Sequence, residues 1–194
     1  MKKSMFGMLL LTVMLLTSCN AAKELQSAYN LKNCNYKYNS ITNLKVSNMD
    51  MSSGLSAINA AKVLAILNGS ASSIPLDFTL NLDVCNPNQS AAAFQGLQYI
   101  INIDDVDFTT GYITQPFSIN SGETKQLPVT IGVDLVKLIS DNSKTAIMNI
   151  AKNFVGVGSD KSNVTVQLKP TFNVGGSMIT SPVYIPVSFT FGGK

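Results

Sequence analysis

The sequence contains no histidine, no arginine and no tryptophan. Without histidine the chain has neither a Ser-His-Asp nor a Cys-His nucleophile system, and it has no zinc site with an imidazole ligand. It also contains no C-x-x-C pair, no G-x-x-x-x-G-K-[ST] loop and no G-x-G-x-x-G turn, so common thiol-redox and nucleotide-binding motifs are missing. We therefore expect no enzyme activity and no catalytic, cofactor-binding or metal-binding residues.

Charged residues are also scarce, at 13% of the chain, and all 14 cations are lysines. Without arginine, no guanidinium is available for bidentate contacts to phosphate or guanine. We therefore expect no nucleic-acid partner. Asparagine, serine and threonine are abundant instead, which is typical of a β protein with a polar, weakly charged surface.

An apolar segment lies at the N-terminus. Lys2 and Lys3 precede the apolar residues 5–16. This run is shorter than the roughly 20 residues of a transmembrane helix and has the length of a signal-peptide core. It ends in Leu16-Thr17-Ser18-Cys19, which resembles the lipobox of bacterial lipoprotein signal peptides. Asn20-Ala21-Ala22 offers a weaker site for ordinary signal cleavage.

The lipobox resemblance implies that residues 1–18 are a signal peptide and that Cys19 is lipidated. The mature chain would then carry a thioether-linked diacylglycerol and an acylated amine, and two or three acyl chains anchor a protein durably. Loss of Lys2 and Lys3 lowers the formal net charge from +3 to +1. Because Asn20 is not the aspartate associated with inner-membrane retention, we expect a bacterial cell-envelope protein anchored in the outer membrane.

Two cysteines remain once Cys19 is acylated. Cys34 and Cys85 form an even pair in a compartment that permits disulfides. A bridge would close a loop of about 50 residues and contribute roughly 4 kcal/mol in the chain-entropy model. The sequence leaves open a disulfide or two buried thiols.

Alternating hydrophobicity predicts strands over most of the chain. The clearest strand has five apolar residues that alternate with polar ones: Leu76, Phe78, Leu80, Leu82 and Val84. Similar patterns recur near residues 36–46, 97–103, 106–113, 127–133, 164–168 and 183–191, with turns predicted at residues 104–105 and 120–123. Seven or so amphipathic strands favour a mainly β fold, an antiparallel β-sandwich of two sheets.

Three segments do not alternate. Residues 19–33 are predicted to be a tether with one helical turn around residues 23–29. Residues 52–68 predict a short amphipathic helix. A second helical region is expected to begin at the cap residue Asp134 and to be broken near residues 141–143. The remaining chain, residues 34–194, is predicted to be one domain.

The order of these elements resembles a known family. A strand that ends in Asn86-Pro87, the hairpin LQYIINIDD and the polar turn and strand INSGETKQLPVTIGVDLVKLI occur in succession before a last alternating strand. This order is similar to that of the late embryogenesis abundant type 2 proteins, or WHy domain, over about residues 74–191. The resemblance implies an immunoglobulin-like β-sandwich with a helix and a link to desiccation and stress tolerance. It implies no catalytic residues.

Three further groups of residues are candidate binding or catalytic sites. The aspartates Asp104, Asp105 and Asp107 lack the spacing of a calcium loop and fit a solvated hairpin tip better. The tyrosines fit core packing better than sugar stacking: Tyr29, Tyr36, Tyr38, Tyr99, Tyr112 and Tyr184. Ser140 and Lys144 lie near one another on the predicted helix, in a spacing that is common on exposed helices.

The leading hypothesis is a non-catalytic, lipid-anchored module of the cell envelope that acts in interaction or stress protection. The alternative is a ligand-binding lipoprotein that captures a glycan, lipid or peptide at its loops. The sequence does not identify a protein or glycan partner.

Overall fold

The computed structural model describes residues 21–51, 61, 65, 66, 69, 71–154 and 156–192. Residues 21–32 are helical and are named α1 here. Two further helices are α2, Leu135–Asp141, and α3, Lys144–Phe154. The strands are β1 Asn35–Val46, β2 Met49–Asp50, β3 Pro75–Cys85, β4 Ala92–Phe94, β5 Gly96–Ile103, β6 Val106–Ile113, β7 Phe117–Ile119, β8 Thr124–Asp134, β9 Lys161–Val174, β10 Ser177–Thr180 and β11 Ile185–Gly192.

The long strands form two antiparallel sheets that pack as a β-sandwich. One sheet has the order β2-β1-β3-β8. The other has the order β10-β9-β5-β6, and β11 pairs with β9 on the same side as β10. The short strands β4 and β7 form a separate ribbon. The predicted mainly β fold with two antiparallel sheets and a few helices is confirmed.

The strand predicted most clearly lies at the centre of its sheet. On β3, Leu76, Leu80 and Val84 are at most 2% exposed, and the strand pairs with β1 on one side and β8 on the other. An 11-residue strand with apolar side chains on one face buries that face against the second sheet. The alternation in β5 and β8 is likewise reproduced by the buried residues of those strands.

Aromatic side chains fill the core between the sheets and α3. The ring centre of Phe154 on α3 lies 4.7 Å from that of Phe78 and 4.7 Å from that of Phe191. These residues belong to α3, β3 and β11, so the Phe154 ring joins the helix to both sheets. Tilted ring pairs at this distance stabilise a fold by more than the burial of their surface alone.

The second helical region has the predicted start and the predicted break. The Asp134 carboxylate accepts the Val136 N–H at 2.9 Å and so caps α2. The same carboxylate accepts the Ile74 N–H and the Ser73 hydroxyl, and the Lys137 charge lies nearby. These interactions, the Ile74 N–H bond foremost, lower the Asp134 pKa. Helix α2 ends at Asp141, and α3 starts at Lys144.

The N-terminal segment differs from the predicted tether with one turn. Residues 21–32 are helical throughout, and Leu31 is 1% exposed. The predicted helix at residues 52–68 falls mainly outside the described residues. The described ones there, 61, 65 and 66, are helical. No helix among the described residues is long and apolar enough to span a membrane.

The last predicted strand also differs at its start. Strand β11 begins at Ile185, so Val183 is not part of the sheet and its side chain is 50% exposed. Strand β9 in turn continues through Pro170, where its partner changes from β11 to β10. A proline is tolerated at such a discontinuity because it has no N–H to donate to the ladder.

Candidate functional site

Cys19 lies outside the described residues, so its lipidation stays a prediction. The described chain starts two residues later, in helix α1. How α1 is attached to the sandwich therefore determines where an anchor at Cys19 would hold the domain.

Buried hydrogen bonds attach α1 to the sandwich. Asn30 is 2% exposed, and its amide donates to the Ser90 hydroxyl at 2.8 Å and to the Ala91 carbonyl at 2.9 Å. The Tyr36 hydroxyl donates to the Leu31 carbonyl at 2.9 Å. Because these groups are withdrawn from water, each bond that is lost would leave a costly unpaired polar group. Helix α1 is thus a fixed part of the domain.

The asparagine of the Asn86-Pro87 motif is the centre of the same network. Asn86 is fully buried, and its amide donates to the carbonyls of Ser90, Ile119 and Asn120 at 2.9, 3.2 and 3.0 Å. Its side-chain oxygen accepts the Asn88 N–H at 3.1 Å. Asn86 therefore fastens the loop that follows β3 to the turn that precedes β8.

Asn88 connects the two parts of this network, because its side-chain amide donates both to Asn86 and to the Asn30 carbonyl at 3.0 Å. Among the described residues, no buried side-chain nitrogen or oxygen lacks a hydrogen-bond partner. The asparagine network is therefore complete within the chain. It leaves no unpaired buried polar side chain there for a ligand.

Cys34 and Cys85 are neighbours, and both are free thiols in this structure. The register pairs Cys85 with Asn35, the first residue of β1, and Cys34 lies in the bend just before that strand. The Cys34 thiol donates to the Asn30 carbonyl at 3.4 Å. Burial, and secondarily the nearby Cys85, raises the Cys34 pKa to about 11. The disulfide stays a prediction.

The aspartate cluster forms the tip of the β5–β6 hairpin. Asp104 and Asp105 have positive φ angles of 49° and 64°, as expected for the central residues of a tight hairpin turn. The Asp104 carboxylate accepts the Asn163 N–H at 2.8 Å, and Asp107 accepts a hydrogen bond from Asn102. In the described part of the chain, no group of three or more His, Cys, Asp or Glu residues is arranged to hold a metal ion.

Three of the tyrosines pack as predicted. Tyr99 donates its hydroxyl to the Thr130 carbonyl at 3.1 Å and so links β5 to β8 in the opposite sheet. Tyr38 stacks on Phe189 with ring centres 4.4 Å apart, and Tyr36 packs against the core. Burial raises the pKa of all three hydroxyls. Tyr29, Tyr112 and Tyr184 are exposed instead.

Ser140 and Lys144 lie on separate helices, on either side of the break at residues 142–143. The α2 helix ends at Asp141, because Asn142 adopts an extended conformation at its C-terminus. The Ser140 hydroxyl donates to the Lys137 carbonyl at 2.7 Å. This is local helix capping and does not activate a nucleophile.

The most distinctive surface feature is an apolar groove between α1 and the β9–β10 hairpin. Its volume is about 410 Å³, and apolar side chains make up nearly all of its walls. Leu25 and Tyr29 line the α1 side, and Phe172, Ile179 and Val183 line the other. Four of these five side chains are at least 48% exposed, namely Leu25, Tyr29, Ile179 and Val183. Lys32 is the lining cation.

Hydrogen bonds at both ends fix the walls of the groove. The Glu24 carboxylate on α1 accepts the Gly175 N–H at the hairpin tip, at 2.9 Å. At the other end, the Ser181 N–H donates to the Pro170 carbonyl at 2.8 Å, and the Ser181 hydroxyl donates to the Val183 carbonyl at 2.7 Å. The groove therefore belongs to the folded domain.

The hydrophobic pattern of the sequence does not predict this groove. Leu25 and Tyr29 are spaced by four residues, which places them on one face of a helix, and they fall in the single helical turn predicted within the tether. Val183 was assigned to a buried strand face. Recognition of α1 as a full helix would have revealed an apolar stripe without a partner.

A second pocket, of about 430 Å³, is polar. It lies between α3 and the start of β9 and is lined by charges of both signs, including Lys152, Lys161, Asp104 and Asp160. The Asp104 carboxylate in this pocket is already bonded to the backbone of β9. The pocket shows no strong bias toward a charged ligand.

These features define a two-sheet antiparallel β-sandwich with a docked N-terminal helix and an exposed apolar groove. The chain belongs to the late embryogenesis abundant protein family, whose sequence model matches residues 81–188. That match spans the buried Asn86 and the β5–β6 and β9–β10 hairpins of the second sheet. The family is generally non-enzymatic.

The chain is similar to several solved structures at low sequence identity. A crystal structure of a protein from Archaeoglobus fulgidus is 15% identical, with a TM-score of 0.40 over 81% of this chain and 98% of that one. A solution structure of an Arabidopsis thaliana protein is 16% identical, with a TM-score of 0.37 over 61% of this chain and 72% of that one. A solution structure of a protein named as late embryogenesis abundant is 16% identical, with a TM-score of 0.38 over 94% of this chain and 86% of that one. No curated protein matches the chain.

Proposed function

We propose that this protein is a lipid-anchored component of the bacterial cell envelope whose β-sandwich acts as a non-catalytic interaction or stress-protective module. The observation that carries the proposal is membership of the late embryogenesis abundant family over residues 81–188. The lipobox resemblance at residues 16–19 supplies the anchor.

The attachment of α1 supports a role close to the membrane. An anchor at Cys19 would be only two residues from the described start of α1, and Asn30 and Leu31 fasten that helix to the sandwich. The domain would then be held near the lipid surface, without a long flexible linker. Such an arrangement suits a module that protects the membrane or acts on partners there.

The completeness of the polar network supports a role under dry conditions. The buried amides of Asn30, Asn81 and Asn86 all bond to groups of the same chain. Water loss therefore removes none of these internal partners, whereas buried groups that depend on bridging water would lose theirs. These internal hydrogen bonds therefore stay available to hold the fold together as water is removed.

Protection is tested with a purified domain and a deletion strain. We expect the mature chain to preserve the activity of a drying-sensitive enzyme better than an equal mass of serum albumin does. We expect deletion to reduce survival after desiccation or envelope stress. Unchanged survival together with no protection of the client enzyme would argue against the stress role.

Ligand capture is the second candidate function, and the apolar groove is the observation that favours it. Its walls suit a lipid chain or an apolar peptide better than a glycan, because its lining offers few polar groups for hydrogen bonds. Stabilisation of the domain by a long-chain fatty acid, with none by oligosaccharides, would support this function. The absence of any melting-temperature shift with all these ligands would disfavour it.

A further inference from the structure

We propose that the face around the apolar groove docks onto the anionic phospholipid surface of the membrane that carries the anchor. This inference rests on the proposed function, because it takes anchoring at Cys19 as its starting point. It adds a defined orientation of the sandwich on the bilayer and assigns the residues that make the contact.

Half of the exposed large hydrophobic side chains lie in this groove. Among the described residues, eight large hydrophobic side chains are exposed, and four of them line the groove: Leu25, Tyr29, Ile179 and Val183. The other four are Tyr112, Val157, Met178 and Tyr184. Soluble surfaces rarely gather large apolar side chains in one patch, and such patches mark interaction sites with proteins or membranes.

Three separate elements contribute to the face. Leu25 and Tyr29 come from α1, and Ile179, which is 48% exposed, comes from β10. Val183 precedes β11. Each element is already held by hydrogen bonds, such as that between Glu24 and Gly175 at 2.9 Å, so the face is preorganised. A preformed surface loses little conformational entropy on binding.

Charge complementarity favours an anionic membrane as the occupant. Lys32 is exposed and lines the groove beside Tyr29. The nearby carboxylate of Glu24 is turned toward the Gly175 N–H of the hairpin. Tyrosines and lysines next to apolar side chains are typical of membrane interfaces, where the amine reaches the headgroups and the ring lies at their level.

The position of Cys19 selects the membrane over a distant partner. Leu25 lies four residues after residue 21 in α1, which is about 6 Å along a helix axis. Two further residues to Cys19 add at most about 7 Å. The groove therefore begins within roughly 15 Å of the acylated cysteine, and lipids are present there at high local concentration.

The proposal is tested with the mature chain, residues 19–194, carrying Cys19→Ser to remove the covalent anchor. Flotation measures its partition onto vesicles of phosphatidylethanolamine and phosphatidylglycerol in a 3:1 ratio, and onto vesicles of phosphatidylcholine alone. We expect stronger partition onto the anionic vesicles. We expect Lys32→Gln to weaken that partition about fivefold and to have little effect on neutral vesicles.

Matched variants separate the groove from other exposed apolar sites. Val183→Ser is expected to weaken vesicle binding about tenfold, whereas Val157→Ser leaves it unchanged. Tyr29→Ser and Tyr112→Ser form a second pair with the same expectation. Each variant is first checked by circular dichroism and thermal melting, and the pair at Val183 and Val157 decides the test if a tyrosine variant fails to fold.

Several results would overturn the docking proposal. The proposal fails if the protein does not bind anionic vesicles. It also fails if Val183→Ser and Val157→Ser weaken vesicle binding equally. Dimerisation that Val183→Ser abolishes, without vesicle binding, would assign the face to a second copy of the chain. Failure of the proposed anchor is distinguished by the intact mass of the native protein: an unmodified Cys19 contradicts anchoring, whatever the vesicles show.

Discussion

Replacement of Asn86 by alanine removes the centre of the buried asparagine network. The variant leaves the carbonyls of Ile119 and Asn120 without their amide donor, at sites that are withdrawn from water. It also removes the acceptor of the Asn88 N–H. A buried polar group left unpaired costs about 1–3 kcal/mol, although carbonyls recover part of this through other donors. We therefore expect the free energy of unfolding to fall by about 3 kcal/mol.

The assay is urea denaturation of the mature chain carrying Cys19→Ser, followed by circular dichroism. The control is Asn39→Ala, because Asn39 is exposed and makes a single hydrogen bond to Asp83 at 2.9 Å. We expect the control to change the free energy of unfolding by less than about 0.5 kcal/mol. We also expect Asn86→Ala to speed amide exchange in α1, since Asn88 links Asn86 to Asn30.

A loss in Asn86→Ala below about 1 kcal/mol, or equal to that of Asn39→Ala, would refute this reasoning. It would mean that the loop after β3 repacks and satisfies its own carbonyls. Unchanged exchange in α1, together with a large overall loss, would show that the network stabilises the loop but does not hold the helix.

Three further predictions concern the core, the helix cap and the thiols. Phe154→Ala should lower the free energy of unfolding by about 3–5 kcal/mol, because the ring contacts both sheets, and an equal effect of Phe172→Ala at the half-buried groove wall would contradict this. Asp134→Asn should make the free energy of unfolding less dependent on pH below about pH 4. The pKa of Asp134 is lowered in the folded state, so the carboxylate stabilises the fold above about pH 4, and this stabilisation is lost as the pH falls through the folded pKa. Unchanged acid unfolding would contradict that role. At pH 7.5 a thiol reagent should label Cys85 well before Cys34, whose pKa of about 11 leaves little thiolate, and equal rates would contradict the burial of Cys34.

The elements that could be predicted from the sequence are those specified by local patterns. The alternation in residues 76–84 predicts a strand with one buried face, and that strand is β3. Asp134 predicts a helix start because an aspartate can accept the free N–H groups of the first turn, and it does so with Val136. The aspartates at positions 104 and 105 tolerate the positive φ angles of a hairpin turn.

The features that were missed depend on contacts between distant parts of the chain. The hydrogen bond between Glu24 and Gly175 joins residues 151 positions apart, and no local pattern predicts it. The network of Asn30, Asn86 and Asn88 is equally non-local. Short strands such as β2 and β4 form because a partner is near, and they have too few residues to show periodicity.

The intact mass of the mature protein from its native membranes is the most direct test of the proposed anchored module. We predict an N-terminal peptide that starts at Cys19 and carries a diacylglycerol and an amide-linked acyl chain. A chain that starts at another residue, or a Cys19 without lipid, would contradict the account.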